Sequence, residues 1–258
     1  TSRLSLETPL FNQQTSLLLG GRTTYAGLVI PFMGEEVKGS DIYFYDLNAK
    51  VTQRINNNNR LFLSAYMGKD KFKVSNMMGL GYGNASATLK WNHIFGKRLT
   101  SNLILLGSKY NYDIDIWMDP YNFSLGAGSK SAQLKYDFVM LWNDQHTSKW
   151  GLSSGILSYS QGELVDHGGA LSQYLSLDSI TSVTRKGLEH ALYFTHDYML
   201  SPSFSMRFGV RLSCFQNIGA EEFYVFDKAY QIADTIHYKR GEVFNTEIHP
   251  EPRLAAMF

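Results

Sequence analysis

The chain has 258 residues, a formal net charge of +1, 44% hydrophobic residues and 14% aromatic residues. This near-neutral charge gives no electrostatic reason to expect nucleic acid as a partner, because proteins that bind it usually present a concentrated basic face. No apolar run approaches the roughly 20 residues that a membrane-spanning helix needs, so a helical membrane protein is excluded.

Alternating polar and apolar residues predict β-strands along most of the chain. The alternation is clearest in Asp41–Ile55, where tyrosine, leucine, alanine and valine fall on one face and Asp46 and Lys50 fall on the other. Successive side chains of a strand point to opposite sides, so this segment is predicted to have one apolar wall and one charged wall. Four asparagines at 56–59 then suit a tight turn, because asparagine tolerates turn conformations and bonds its own backbone.

The later segments repeat this pattern in antiparallel pairs. A short first strand is predicted at Ser2–Glu7, and a last strand begins at Glu251. The strands between them are predicted at 41–55 with 60–72, 85–95 with 99–114, 131–142 with 150–160, and 188–199 with 204–215. The alternation leaves the faces of the strand at 99–114 unassigned.

The predicted strands are longer than those of ordinary soluble sheets. They span roughly 11 to 16 residues, against a common strand of about 5 to 6 and about 9 to 11 residues plus margins for a tilted membrane-spanning strand. The sequence therefore predicts an all-β fold, an antiparallel transmembrane β-barrel whose apolar wall meets lipid and whose charged wall lines a wet interior. The residues predicted to face this interior are Asp46, Lys50, Arg54, Lys90, Lys135, Asp137, Arg207 and Arg211.

Short and long connections alternate between the predicted strands. The short turns are predicted at 56–59, 96–98, 143–149 and 200–203, and the long segments at 73–82, 113–130, 161–187 and 216–249. This asymmetry is typical of outer-membrane barrels, in which tight periplasmic turns alternate with longer extracellular loops. The glycine-rich stretches at 79–83 and 126–128 are predicted to be flexible surface loops.

Aromatic residues in the long segments are the candidate ligand contacts, because exposed rings can stack on sugars or peptides. These residues are Trp117, Tyr121, Tyr174, Tyr224 and Tyr230.

No motif indicates catalysis or a cofactor. The seven histidines form no HExxH pattern, and Cys214 is the only cysteine, so no disulfide can form within the chain. Asp113 and Asp115 share one side of a strand, but a catalytic pair also needs a partnered base, and none is identifiable. We therefore predict no catalytic residue, no metal ligand and no cofactor. A small complete barrel enzyme and a soluble β-sandwich binding module are the two alternatives.

Several short sequence segments, taken in order along the chain, resemble those of a known family. They are found at 20–25, 43–50, 59–70, 87–95, 209–213 and 251–254. In this order they resemble the barrel of TonB-dependent outer-membrane receptors, most closely the type with an N-terminal carboxypeptidase-regulatory-like domain. The resemblance covers nearly the whole chain and is weakest in the long segments.

This resemblance implies a function and a set of partners. It implies that residues 1–258 are a barrel segment, the first half (about 10 to 12 strands) of a barrel of about 22 strands, without its plug or TonB box. The implied function is energy-coupled uptake of a siderophore, cobalamin, glycan or peptide across the outer membrane of a Gram-negative bacterium. The implied partners are outer-membrane lipid, the plug domain and TonB through a missing N-terminal part, and a surface lipoprotein, with no nucleic acid.

Overall fold

The computed structural model describes residues 1–11, 14–34, 39–119, 121–167, 184–219, 221–228 and 231–258. Within these ranges the strands are β1 (Ser2–Leu10), β2 (Thr15–Thr23), β3 (Asp41–Arg54), β4 (Asn59–Val74), β5 (Met78–Ile94), β6 (Leu99–Met118), β7 (Tyr121–Leu141), β8 (His146–Asp166), β9 (Thr184–Ser201), β10 (Phe204–Ile218), β11 (Glu221–Phe226), β12 (Ile232–Tyr238) and β13 (Val243–Met257). Two 3-10 turns, Ala26–Leu28 and Ile30–Phe32, lie between β2 and β3. Neither is long and apolar enough to cross a membrane, and the described ranges hold no other helix that is.

Eleven of these strands form one sheet in the order β1-β2-β3-β4-β5-β6-β7-β8-β9-β10-β13, and β11 and β12 form a separate antiparallel ribbon. Each of the first ten strands pairs with its neighbour in sequence, as expected when short turns join antiparallel strands. Among the described strands, β1 and β13 are the two ends of the order, so the sheet is open. The predicted all-β antiparallel fold is confirmed, and its 11 strands fall within the predicted range.

Two of the predicted long loops are wrong. Strand β4 continues to Val74 and β5 begins at Met78, so the segment at 73–82 holds only a tight turn. Likewise β6 ends at Met118 and β7 begins at Tyr121. Alternation continues into these extensions with its phase reversed, because apolar residues such as Leu80 and Ile114 lie on the face that carries polar residues elsewhere, and glycine or aspartate lies on the other. The remaining long segments are shortened by β8, β10, β12 and β13, and residues 168–183 lie outside the described ranges.

The glycine-rich stretches lie in strands and are not the flexible loops that the sequence predicted. A Cβ atom added at Gly79 would lie 2.7 Å from the ring of Trp117, and one at Gly81 would lie 2.5 Å from a carboxylate oxygen of Asp113. At Gly128 it would lie 2.9 Å from the carbonyl oxygen of Tyr110. Glycine is therefore present because neighbouring strands approach closely there.

The chain divides into two compact units. Unit 1 comprises Thr1–Lys90, Leu106–Ser131 and Tyr159–Thr184, and unit 2 comprises Trp91–Leu105, Ala132–Ser158 and Arg185–Phe258.

In both units the apolar wall of the sheet is exposed. In unit 1, Ala49 lies opposite Ala65 and Val51 opposite Leu63, and the side chain of Leu63 is 49% exposed. In unit 2, Val210 is 51% exposed. Ile30 and Ala191 are the only apolar residues that are buried among those described. The long strands therefore present an apolar face without a dry core beneath it.

Candidate functional site

The opposite face of the sheet carries ion pairs, beginning in unit 1 with Asp46. The Nε of Arg22 lies 2.8 Å from a carboxylate oxygen of Asp46, on the adjacent strand. Lys50 is exposed on the same face, opposite Ser64, and the ammonium of Lys90 lies 5.6 Å from the ring centre of Phe62.

Arg54 lies at the end of this polar face. Its guanidinium donates a hydrogen bond to the side-chain oxygen of Asn57 in the short turn. The structure therefore places Arg54 at the rim of the polar wall, where it holds the turn.

A row of polar residues crosses the five strands β7 to β10 and β13 in unit 2. Tyr193 donates a hydrogen bond from its hydroxyl to Asp137. Arg211 lies opposite both Tyr193 and Glu251 in the strand register, and its guanidinium carbon lies 5.7 Å from the centre of the tyrosine ring. The phenol passes over Gly151, where an added Cβ would lie 2.7 Å from the hydroxyl oxygen.

Acidic partners surround the basic residues of this polar row. Arg211 lies 3.6 Å from Glu189 and 3.7 Å from Glu251, and Lys135 lies 3.1 Å from Asp137. Nearer the short turns, Asp197 pairs with both Arg207 and Lys149. Because these side chains are partly exposed, each pair stabilises the fold by only about 0 to 1 kcal/mol. The arrangement is a fixed polar wall with donors and acceptors of both signs.

Replacing Tyr193 by phenylalanine tests the centre of the polar row. Tyr193→Phe removes the hydrogen bond to Asp137 but keeps the ring beside Arg211, so we expect a loss of about 1 kcal/mol in the free energy of unfolding. Tyr224→Phe is the control, because that hydroxyl is exposed and its bond to Glu222 is long at 3.4 Å. Equal midpoints of chemical unfolding for the two variants would contradict the assigned hydrogen bond.

A small cavity lies at the loop end of unit 1, the end of the sheet away from the short turns. Its volume is about 190 Å³. Trp117 forms one side, and the ammonium of Lys73 lies 5.4 Å from its ring centre. The other lining residues are Asp41, Lys71, Phe72, Gly79, Leu80, Gly81, Asp113 and Asp115. Lys73 shares the face of Leu63 and Ala65 by strict alternation, so Trp117 lies on the side of the apolar wall.

A serine beside this cavity contacts an aspartate and a histidine. The hydroxyl of Ser124 donates to Asp115 at 2.6 Å and lies 2.9 Å from Nε2 of His167. In a Ser-His-Asp triad the histidine stands between the other two residues. Here Ser124 stands between Asp115 and His167. Its hydroxyl proton is directed to the carboxylate, and Asp115 does not orient the histidine as the aspartate of a triad does.

Two histidines that are distant in sequence meet near the short turns of unit 2. Nδ1 of His146 lies 3.0 Å from Nε2 of His196, and Nδ1 of His196 lies 2.8 Å from the hydroxyl of Ser148. The indole of Trp142 donates to the same hydroxyl. This hydrogen-bonded chain satisfies polar groups near an aromatic cluster that includes Phe208, and within the described ranges no group of three potential ligands could hold a metal.

The structure places three of the five predicted ligand-contacting aromatics. Trp117 and Tyr121 lie at the ends of β6 and β7 in unit 1. Tyr224 lies on the β11–β12 ribbon in unit 2, half exposed. Tyr174 and Tyr230 lie outside the described residues. A role in ligand contact stays a prediction for all five.

Sequence reasoning missed the partners that make the polar wall. Arg22, Tyr193, Asp197 and Glu251 all contact predicted interior residues but were not selected. A signal was available in β9, where every second residue from Glu189 through Tyr193 to Asp197 lies on one face. Assigning the faces of this strand as well as its existence would identify these residues.

The exposed apolar wall, the ion-paired wall and the antiparallel strand order are the fold of part of a transmembrane β-barrel. Solved structures of TonB-dependent receptors are similar to this chain. Among them are the copper transporter OprC (TM-score 0.69, 9% identity, 98% of this chain and 40% of that one) and BauA, the ferric preacinetobactin receptor from Acinetobacter baumannii (0.66, 8%, 98% and 42%). The ferripyoverdine receptor of the outer membrane of Pseudomonas aeruginosa is also similar (0.68, 10%, 98% and 38%).

At these identities the likeness shows the fold alone. The chain spans about 40% of the length of OprC and 42% of that of BauA, so the activity, substrates and partners of a whole receptor are proposals for it. No protein-family model matches the sequence, and a comparison with curated proteins finds no match. The predicted type of N-terminal domain stays a prediction.

Proposed function

We propose that this chain is part of the barrel of an outer-membrane receptor that takes up a scarce nutrient with energy supplied through TonB. One observation carries the proposal: long strands expose an apolar wall on one face and an ion-paired wall on the other. Full burial of one leucine side chain contributes about 1.5 to 3 kcal/mol. Contact with lipid along the apolar wall removes these side chains from water and so supplies this free energy.

The ion-paired wall supports the second half of the proposal. A barrel interior is polar and either filled with water or plugged by protein. The polar row from Asp137 to Glu251 offers fixed donors and acceptors to such a plug. In this proposal the plug domain and TonB act from a part of the protein outside this chain, and a surface lipoprotein is a further partner.

The proposed cargo is a small nutrient that arrives from the loop end. The names of the similar structures, a copper transporter and receptors for ferric preacinetobactin and ferripyoverdine, make copper and ferric chelates the first cargoes to test, ahead of cobalamin, glycans and peptides. Tyr121 and Tyr224 are proposed contacts whose side chains are exposed. Trp117 is a proposed contact as well, although Lys73 covers one side of its ring.

The two alternative functions have less support. A soluble β-sandwich would bury Leu47 and Phe208, yet these side chains are 49% and 46% exposed. An enzyme would need a nucleophile and a base in a productive order, and Ser124 has its hydrogen bond directed to Asp115 instead. The similar structures are named as a transporter and receptors.

Cell fractionation and uptake measurements together test the proposal. We expect the protein, expressed from its natural gene, to fractionate with the outer membrane and to migrate differently on gels before and after boiling, as folded barrels do. We also expect a deletion strain to lose accumulation of radioactive iron or copper from chelates, and a protonophore to abolish the same accumulation in the parent strain. Recovery of the protein in a detergent-free soluble fraction would overturn the proposal.

A further inference from the structure

Beyond the apolar wall, towards the loop end, unit 1 carries lysines on the same face of the sheet. On β4 the alternating residues Leu63, Ala65 and Met67 are followed in the same alternation by Lys69 and Lys71. Tyr45 and Tyr43 lie directly opposite these two lysines on β3. Aromatic rings at this level are typical of a membrane interface.

Two further lysines face each other on the neighbouring strands. Ser131 lies 2.8 Å from Ser108 across β6 and β7, and Ser124 bonds Asp115 across the same two strands. This register places Lys130 opposite Lys109. Like charges directly opposite each other destabilise a sheet, and an anion bound between the two ammonium groups would offset this repulsion.

These four lysines form no ion pair in the part of the chain that the structure describes, although Lys71 lines the small cavity together with Asp41, Asp113 and Asp115. None of Lys69, Lys71, Lys109 and Lys130 has a described carboxylate oxygen within 4.0 Å. An unpaired basic group beside an apolar wall has the chemistry of a phosphate site at a membrane surface.

The apolar wall also holds a groove next to the lysines. It has a volume of about 520 Å³, within the range of about 300 to 1,000 Å³ for small-molecule sites. Gly21, Ala49 and Ala65 form its floor, and Leu6 and Met67 are among its sides. Met67 precedes Lys69 by two residues, so the groove ends about 7 Å from the first ammonium-bearing residue.

We propose that this face binds an anionic phospholipid, one whose head group carries a net negative charge, with an acyl chain in the groove and the phosphate between the lysines. Charge complementarity and the continuity of the groove with the apolar wall identify this occupant. The inference rests on the proposed function, since it requires the apolar wall to face a bilayer.

Native mass spectrometry of the protein, expressed from its natural gene and purified in detergent, tests the lipid site. Dioleoylphosphatidylglycerol and dioleoylphosphatidylcholine are the probes. We expect the wild type to bind the phosphatidylglycerol at least about tenfold more tightly, and Lys109→Gln/Lys130→Gln and Lys69→Gln/Lys71→Gln each to lower that affinity about fivefold or more. Lys228→Gln/Lys239→Gln removes two exposed lysines elsewhere and should leave the preference unchanged.

Two further arms separate the sources of binding. Ala65→Phe fills the groove with an apolar side chain on an exposed position, and we expect it to weaken both lipids while the protein still migrates as a folded barrel. Displacement of the lipid by millimolar inorganic phosphate would assign the lysines to a free anion and overturn the lipid site. Equal affinity for both lipids would overturn it as well.

Flotation with phosphatidylcholine vesicles separates this inference from the proposed function. Protein that floats with these vesicles but shows no preference for phosphatidylglycerol refutes the lipid site alone. Protein that stays in the soluble fraction refutes both.

Discussion

Leu63→Arg is expected to destabilise the folded protein by about 2 to 4 kcal/mol in a bilayer, the cost of arginine near the midplane on the lipid face of a barrel. The side chain of Leu63 is 49% exposed and lies opposite Val51 in the middle of the apolar wall. In water an exposed leucine could become arginine at little cost, since surface substitutions usually change stability by within about 0.5 kcal/mol. The size of the loss of stability in Leu63→Arg therefore shows whether the apolar wall contacts lipid or water.

The control is Ser64→Arg, one residue along the same strand and on the opposite face. Ser64 lies opposite Lys50, so the control adds a like-charge pair whose small cost salt should reduce. The cost of Leu63→Arg should not respond to salt in this way. The measurement is the midpoint of urea unfolding in phosphatidylcholine vesicles at low and high salt, followed by tryptophan fluorescence. Equal midpoints for Leu63→Arg and Ser64→Arg would show that both faces of the sheet contact water.

The strand faces could be predicted from sequence because the central part of each strand has one apolar face and one polar face. Alternation places Leu63 and Ala65 on one face and Lys50 on the other, and the observed register keeps them there. A shift by one residue would move every apolar side chain to the other face. The pattern thus specifies both the strand and its orientation.

The loop-end extensions of the strands could not be predicted, because the same physical reasoning fails there. At 78–83 on β5 and 113–118 on β6 the apolar residues change to the opposite face of the strand, so the pattern no longer continues that of the preceding segment. Sequence reasoning read small and polar residues as loops, although backbone pairing with a neighbouring strand continues the sheet. Close approach to Trp117 and Asp113 explains the glycines only once the strands are placed side by side.

The polar wall could be predicted only in part, and the reason is different. Its charged residues stand out by alternation, but their partners lie far along the chain: Arg22 is 24 residues from Asp46, and Tyr193 is 56 residues from Asp137. The register between neighbouring strands decides which residues pair, and this register cannot be read directly from a single sequence. The cross-strand partners of Arg211 emerged in the same way.

Gly151→Ala is expected to lower the free energy of unfolding by about 1 to 3 kcal/mol, the usual cost of inserting a methyl group into a closely packed site. The new Cβ would lie 2.4 Å from the carbonyl oxygen of Tyr136 and 2.7 Å from the hydroxyl oxygen of Tyr193. The carbonyl belongs to the strand backbone and cannot turn away. The phenol must move as well, which weakens its hydrogen bond to Asp137 and its contact with Arg211.

Gly107→Ala is the matched control, because a Cβ at that strand position meets no atom within 4 Å. There alanine should be neutral or stabilise by about 0.4 to 1 kcal/mol, since it reduces the freedom of the unfolded chain. Combining Gly151→Ala with Tyr193→Ser removes the ring from the clash. We therefore expect the double variant to lose less stability than the sum of the two single variants, as coupled neighbours do. If the losses of stability in the two single variants simply add in the double variant, the Tyr193 ring does not lie against Gly151. The polar row would then be interrupted at its centre.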